Sequence, residues 1–85
     1  LMNAKEKILI VDDDRSIRFV LEKALQTWNY EVVQAETAAE ARQKFAEEEP
    51  DAALLDIDLP DGSGLDILTH VKEIQPDAIV IMVTG

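Results

Sequence analysis

Near the beginning of this 85-residue chain stands the stretch Lys7-Ile8-Leu9-Ile10-Val11-Asp12-Asp13-Asp14. Its four consecutive aliphatic residues do not alternate with polar ones, a pattern typical of a strand that is covered on both faces of a parallel sheet. Three carboxylates follow this strand directly. The last of them, Asp14, is placed to cap the start of a helix.

Strand and helix patterns alternate along the rest of the chain. Further strands are predicted at 30–35, 51–56 and 78–84, and the fourth is the most hydrophobic. Helices are predicted after Asp14, from Thr37 to about Glu48, and from about Gly64 to Gln75. Residues expected to face inward are Ile17, Val20, Leu21, Ala24, Leu25 and Trp28 in the first helix, Ala38, Ala41 and Phe45 in the second, and Leu68, Val71 and Ile74 in the third. The order βαβαβαβ predicts an α/β fold, an open parallel sheet with helices on both faces.

Composition limits the class of protein. A hydrophobic share of 47% with 31% charged residues is typical of a globular domain, and the length predicts one domain over residues 1–85. The net charge of −10 opposes direct contact with nucleic acid or an anionic membrane. Without cysteine, a disulfide scaffold, a thiol nucleophile and a Cys-based metal site are excluded. We find neither a signal-peptide pattern nor an apolar run that spans a bilayer, and therefore expect a cytoplasmic domain.

Carboxylates stand at the ends of two predicted strands. Asp12 and Asp13 follow the first strand, and Asp56 ends the third. Open parallel sheets bind ligands beyond the carboxyl ends of their strands, so these side chains meet in one crevice if the two strands are neighbours. Gathered carboxylates raise one another's pKa unless a cation intervenes, and Mg²⁺ suits such a site. Helix capping alone would explain Asp14 but not the other three.

Three stretches together resemble the receiver domain of bacterial two-component response regulators, and the resemblance extends along essentially the whole chain. They are Ile8–Asp14, Leu54–Gly64 and Ile79–Gly85. The resemblance implies a flavodoxin-like doubly wound parallel sheet with strand order 2-1-3-4. It also implies that the fourth helix, fifth strand and fifth helix are missing, so that residues 1–85 are the N-terminal portion of a C-terminally truncated receiver.

The resemblance assigns a role to each acidic residue. Asp56 would be the phospho-acceptor, attacking the phosphohistidine of a sensor histidine kinase. Asp13 and Asp56 would ligate Mg²⁺ directly, Asp12 would act largely through water, and the backbone carbonyl of Asp58 would complete the protein ligands. Thr84 would be the switch hydroxyl that meets the phosphoryl group.

The resemblance also places the chain in a signalling pathway. The phosphorylated domain would relay its signal to an output domain in the same parent chain, one that regulates transcription. The turn Leu59–Gly62 would aim the Asp58 carbonyl at the metal. The complete domain would catalyse its own phosphorylation and dephosphorylation without being an enzyme in the ordinary sense.

Other interpretations remain open at this point. Asp56-Ile57-Asp58 is similar to the signature of haloacid-dehalogenase-like phosphohydrolases, in which the second Asp is the general acid. That motif usually lies on the first strand, and it carries Thr where this chain has Pro60. A third possibility is a binding module that keeps the acidic crevice but does not switch. We also expect self-association through the uncovered fourth strand.

Overall fold

The structure, a computed structural model, describes residues 5–83. It contains one four-stranded sheet, one two-stranded hairpin and three helices within those residues. In chain order they are β1 (Lys7–Val11), α1 (Arg15–Thr27), β2 (Glu31–Ala35), α2 (Ala38–Glu48), β3 (Ala52–Asp56), β4 (Asp58–Leu59), β5 (Gly62–Ser63), α3 (Gly64–Ile74) and β6 (Ile79–Val83). All four predicted long strands and all three predicted helices are present. The hairpin of β4 and β5 occupies the predicted turn.

The large sheet is entirely parallel, in the order β2-β1-β3-β6. Since β6 is the fourth long strand, the predicted order 2-1-3-4 is confirmed. β1 and β3 are neighbours, and Val11 lies opposite Leu55 in the register. The residues that follow these two strands therefore emerge side by side at one edge of the sheet.

The main core lies between the sheet and the helices α2 and α3. Alternate residues of the central strands, such as Leu9 and Leu55, meet Phe45 of α2 and Val71 of α3, and all four are buried. Burying each large side chain contributes about 1.5–3 kcal/mol relative to leaving it in water. The inward positions predicted for α2 are confirmed. This core holds the strand ends in a fixed relation to one another.

Both predicted helix caps are present. The Asp14 side chain accepts a hydrogen bond from the backbone N–H of Ser16 at 2.8 Å, at the start of α1. The Thr37 hydroxyl accepts one from the N–H of Glu40 at 3.1 Å, at the start of α2. The Glu40 carboxylate accepts from the N–H of Glu36 at 3.1 Å, one residue before the cap. Each cap supplies a partner to an N–H group that the helix itself cannot satisfy.

Three residues predicted to face inward are exposed instead. Val20 of α1 and Trp28, the residue that follows the helix, are 64% and 69% exposed, and Ile74 in the last turn of α3 is also exposed. α1 packs over β1 and β2, and within residues 5–83 it makes no comparable contact with another helix. One side of its apolar stripe therefore has nothing opposite it. A charged residue, Arg18, is buried in α1 instead.

β6 has an unpaired edge and an exposed apolar face. Its Val80 and Met82 pack against the core, whereas Ile79 and Ile81, on the other face, are 63% and 53% exposed. Among the described strands, only β3 pairs with β6. Such an edge is a template for pairing with another chain. Within residues 5–83 no helix is both long enough and apolar enough to cross a bilayer.

We predict that Ile81→Lys weakens self-association of this chain by roughly tenfold, because it places a charge on apolar surface that association would bury. Sedimentation velocity over a range of concentrations measures the effect. Gln43→Lys, which adds the same charge on the exposed side of α2, is the matched control and should leave association unchanged. A monodisperse monomer at high concentration for the unmodified chain would contradict the prediction.

Candidate metal centre

Asp12, Asp13 and Asp56 converge at the carboxyl ends of β1 and β3. One carboxylate oxygen of each lies within 4.8 Å of the others, and no second such acidic or histidine group occurs in the described part of the chain. Convergence follows from the parallel pairing of the two strands, since Asp12 directly follows β1 and Asp56 ends β3. The predicted crevice is thus present. Asp14 alone caps α1, so capping does not account for the other three.

Asp12 is the most buried member of the cluster, only 6% exposed. Its side chain accepts a hydrogen bond from the N–H of Asp14 at 2.8 Å. Burial raises the pKa of the Asp12 carboxyl above its ordinary value of 3.8, and the charges of Asp56, Asp13 and Asp14 raise it further, against the opposing effect of the Asp14 amide. A bound cation would offset both the cost of burying the Asp12 carboxylate and the repulsion from its neighbours.

The other two carboxylates are more accessible. Asp13 is exposed and Asp56 is half-buried, so a hydrated ion can reach both from solvent. One Asp56 oxygen, Oδ1, accepts a hydrogen bond from the N–H of Asp58 at 3.3 Å, which orients the carboxylate. Three carboxylate oxygens in a partly open crevice suit a hard divalent cation such as Mg²⁺, which takes few carboxylates and keeps several waters.

Two predicted site residues remain untested by this geometry. Asp58 begins the hairpin that follows Asp56, where it pairs with Ser63 around the two-residue turn Pro60–Asp61. Its position beside Asp56 agrees with the predicted turn, but its carbonyl as a metal ligand stays a prediction. Thr84 lies outside the described residues, and its role as a switch hydroxyl also stays a prediction.

The hairpin is attached to α2 through Asp61, a contact that the sequence analysis missed. Asp61 Oδ1 accepts a hydrogen bond from the N–H of Ala38 at 2.6 Å, and Oδ2 accepts one from Ala39 at 3.0 Å. These amides, Ala39 foremost, hold the pKa of the Asp61 carboxyl below its ordinary value. The carboxylate thus caps a helix that is distant in sequence, so no local motif could have revealed it.

Gly64 begins α3 in close contact with the backbone of Asp56. A β-carbon at this position would lie 2.1 Å from the Asp56 carbonyl oxygen, whereas real β-carbons essentially never come within 3.0 Å. The N–H of Gly64 also donates to the carbonyl of Ile57 at 2.8 Å. Gly62 differs, since a β-carbon there would make an ordinary 3.6 Å contact with Ala38. Of these two glycines, only Gly64 is therefore required by the packing around Asp56.

We predict that Gly64→Ala lowers the free energy of unfolding by about 1–3 kcal/mol, because the added methyl group forces the backbone at Asp56 to move. Urea unfolding followed by circular dichroism measures it. Gly62→Ala, two residues away with room for the methyl group, should change the free energy of unfolding by less than about 0.5 kcal/mol. Equal losses in the two variants would show that the close approach is not the cause.

We also predict that Asp12→Asn stabilises the metal-free chain at neutral pH, by on the order of 1 kcal/mol. The folded-state pKa of Asp12 is raised, so its ionised form opposes folding at any pH above that pKa. The amide removes this charge while its oxygen can still accept from the Asp14 N–H. The gain should shrink as pH falls through the folded-state pKa, because Asp12 then becomes neutral as well.

Thermal unfolding of both chains over a pH series, in the presence of a chelator, tests this prediction. Asp77→Asn, at an exposed position before β6, is the control for a change of one charge and should give a smaller effect. A loss of stability at neutral pH in Asp12→Asn would contradict the prediction.

Comparison with known proteins gives a consistent result. The family model described as "Response regulator receiver domain" matches residues 8–85. The response regulator protein PilR of Pseudomonas aeruginosa is 40% identical over 82 residues, which are 96% of this chain and 18% of PilR. The sporulation initiation phosphotransferase F of Bacillus subtilis is 38% identical over 80 residues, covering 94% of this chain and 64% of that protein. This chain therefore spans only part of these relatives.

Solved structures agree. A CheY-like response regulator receiver domain protein from Methanospirillum hungatei superposes with a TM-score of 0.93 at 40% identity, over 96% of this chain and 66% of that one. The response regulator TrrA from Thermotoga maritima, in complex with Mg²⁺ and BeF, gives a TM-score of 0.89 at 38% identity. That match covers 93% of this chain and 69% of TrrA.

Proposed function

We propose that Asp56 is a phospho-acceptor, which takes a phosphoryl group from the phosphohistidine of a sensor histidine kinase. The basis is that this chain belongs to the response regulator receiver-domain family. The observation that carries this proposal is the convergence of Asp12, Asp13 and Asp56 within 4.8 Å. Phosphoryl transfer needs positioning and charge neutralisation more than covalent help, and an acidic crevice that holds a cation supplies both.

The chemistry centres on the Asp56 carboxylate. Its Oδ1 is held by the N–H of Asp58, which leaves Oδ2 as the nucleophile. A bond forms from Oδ2 to phosphorus while the bond from phosphorus to the kinase imidazole breaks, and the imidazole takes up a proton. The aspartyl phosphate is later hydrolysed by water. The domain thereby promotes its own phosphorylation and dephosphorylation.

Mg²⁺ is the proposed ion. The carboxylates of Asp13 and Asp56 would hold it directly, Asp12 would act through water, and the Asp58 carbonyl would complete the protein ligands. When bound, the ion neutralises charge that develops on the transferred group. Support comes from the donor chemistry of the cluster and from TrrA, a similar receiver in complex with Mg²⁺ and BeF.

The relatives support a signalling context for this chain. We propose that residues 1–85 are the N-terminal portion of a receiver in a cytoplasmic response regulator, with an output domain in the same parent chain that regulates transcription. Among the relatives are PilR and the DNA-binding transcriptional regulator NtrC of Azospirillum brasilense. The net charge of −10 supports the absence of direct nucleic acid or membrane contact by this part. Thr84 would be the switch hydroxyl.

The haloacid-dehalogenase-like phosphohydrolase is not favoured. The receiver family matches residues 8–85, and the clustering of Asp12 and Asp13 with Asp56 gives those residues a role that the phosphohydrolase would not use. A non-switching binding module would keep the same crevice, and phosphorylation separates it from the proposed receiver.

We predict that this chain, treated with Mg²⁺ and a small phosphodonor, gains one phosphoryl group, and that Asp56→Asn abolishes the adduct because the nucleophile is lost. Intact-mass spectrometry detects it, and chelation of Mg²⁺ should reduce the adduct at least tenfold.

Asp58→Asn is the matched control, since its exposed carboxylate lies two residues from Asp56 and only its backbone is assigned a role. It should retain the adduct. An adduct that survives Asp56→Asn would refute the assignment. Sustained hydrolysis of an aryl phosphate that is lost in Asp58→Asn would favour the phosphohydrolase, and no adduct on the unmodified chain would favour the binding module.

A further inference from the structure

Arg18 is a buried cation that the proposed chemistry does not use. It is 9% exposed, although it lies on the surface helix α1. Its Nη1 donates to the backbone carbonyl of Asp12 at 2.6 Å, and its Nε donates to the Gln34 side chain at 2.9 Å. Its Nη2 lies 3.8 Å from the Glu36 carboxylate. The guanidinium therefore connects α1 to the end of β1 and to β2.

The contact with Asp12 holds the peptide group that joins Asp12 to Asp13. The N–H of Asp12 donates to the carbonyl of Ala35 at 3.1 Å, so the peptide group before Asp12 is held as well. Because a peptide group is planar and rigid, rotating the one after Asp12 changes the direction in which the chain carries Asp13. The peptide group before Asp12 is thus held by backbone, whereas the one between Asp12 and Asp13 is held by the Arg18 side chain.

We propose that Arg18 is a positioning residue for the acidic site, fixing the Asp12–Asp13 peptide group so that both carboxylates face Asp56. It touches no carboxylate of the cluster and acts only through the backbone. This inference rests on the proposed function to the extent that the cluster binds Mg²⁺.

The contacts require an arginine in particular. Its planar fork of donors reaches Asp12 and Gln34 from separate nitrogen atoms, whereas a lysine has one nitrogen. Gln34 is itself held, because its amide nitrogen donates to the Glu22 carboxylate on α1. Gln34 and the Glu36 carboxylate therefore both help to hold the guanidinium in place against the Asp12 carbonyl.

The test compares Arg18→Met with the unmodified 85-residue chain by two measurements. The first is the Mg²⁺ dissociation constant from calorimetry, at a temperature where both chains are folded. We expect roughly tenfold weaker binding in the variant, as is typical when a partner of a metal-binding group is removed. The second is the amide chemical shift of Asp13 without metal, which should change because its peptide group is released.

The sign of the effect separates positioning from charge. Removing a cation near an acidic site should by itself tighten Mg²⁺ binding. Arg15→Met removes the same charge from an exposed position on α1 and should bind Mg²⁺ equally or slightly more tightly. Leu25→Ala, which truncates a partly buried side chain near the far end of α1, controls for lost stability and should leave the Mg²⁺ dissociation constant and the Asp13 amide shift unchanged.

Each outcome decides the matter. Unchanged or tighter Mg²⁺ binding in Arg18→Met would overturn the inference while leaving the proposed function intact. If the unmodified chain itself fails to bind Mg²⁺, the proposed metal site fails, and the metal-free Asp13 shift alone judges Arg18. If Arg18→Met does not fold, Arg18→Lys keeps the charge but cannot hold both partners. It should then show the same changes at smaller size, and values matching the unmodified chain would overturn the inference.

Discussion

The parallel pairing of β1 with β3 is the constraint on which the candidate site depends. Val11 lies opposite Leu55 in the parallel register, so the chain leaves both strands at the same edge of the sheet. The carboxylates of Asp12, Asp13 and Asp56 meet there as a result. Neither Asp12 nor Asp13 is near Asp56 for any local reason, since forty residues lie between the two strands. The core beneath, with Leu9 and Leu55 fully buried, keeps that edge rigid.

The acidic site opposes the stability of the fold that carries it. Asp12 is buried as a carboxylate among like charges, which raises its pKa and favours its neutral form. A side chain chosen for folding alone would carry no charge there. Its presence agrees with a site in which an ion supplies the missing positive charge, and binding that ion would then also stabilise the folded chain.

Much of the fold could be predicted from sequence because its signals are local. Aliphatic runs such as Ile8–Val11 and caps such as Asp14 and Thr37 depend only on their neighbours in the chain. The spacing of the residues in the apolar stripe predicted α1 itself correctly. It did not predict that Val20 and Trp28 are exposed, because periodicity does not reveal what lies opposite a helix face. A lone cation in that stripe, Arg18, three and seven residues before Leu21 and Leu25, was the signal of a buried polar contact.

The acidic cluster could be predicted because strand ends of a parallel sheet share an edge. The parts that support it could not, since each depends on a meeting of segments that no motif encodes. Gly64 is required only because α3 begins against the Asp56 backbone, and Asp61 is a cap only because the hairpin lies beside α2. Both contacts depend on the tertiary fold and not on neighbouring residues in the chain.

The Asp61 contact has a practical consequence for protein engineering. A two-residue exposed turn is normally the first place at which a fluorescent tag or an epitope would be inserted, because loop tips tolerate added length. In this molecule the turn Pro60–Asp61 also caps the start of α2, because Asp61 accepts from its first two N–H groups. An inserted label there would fray the first turn of a helix that begins more than twenty residues upstream.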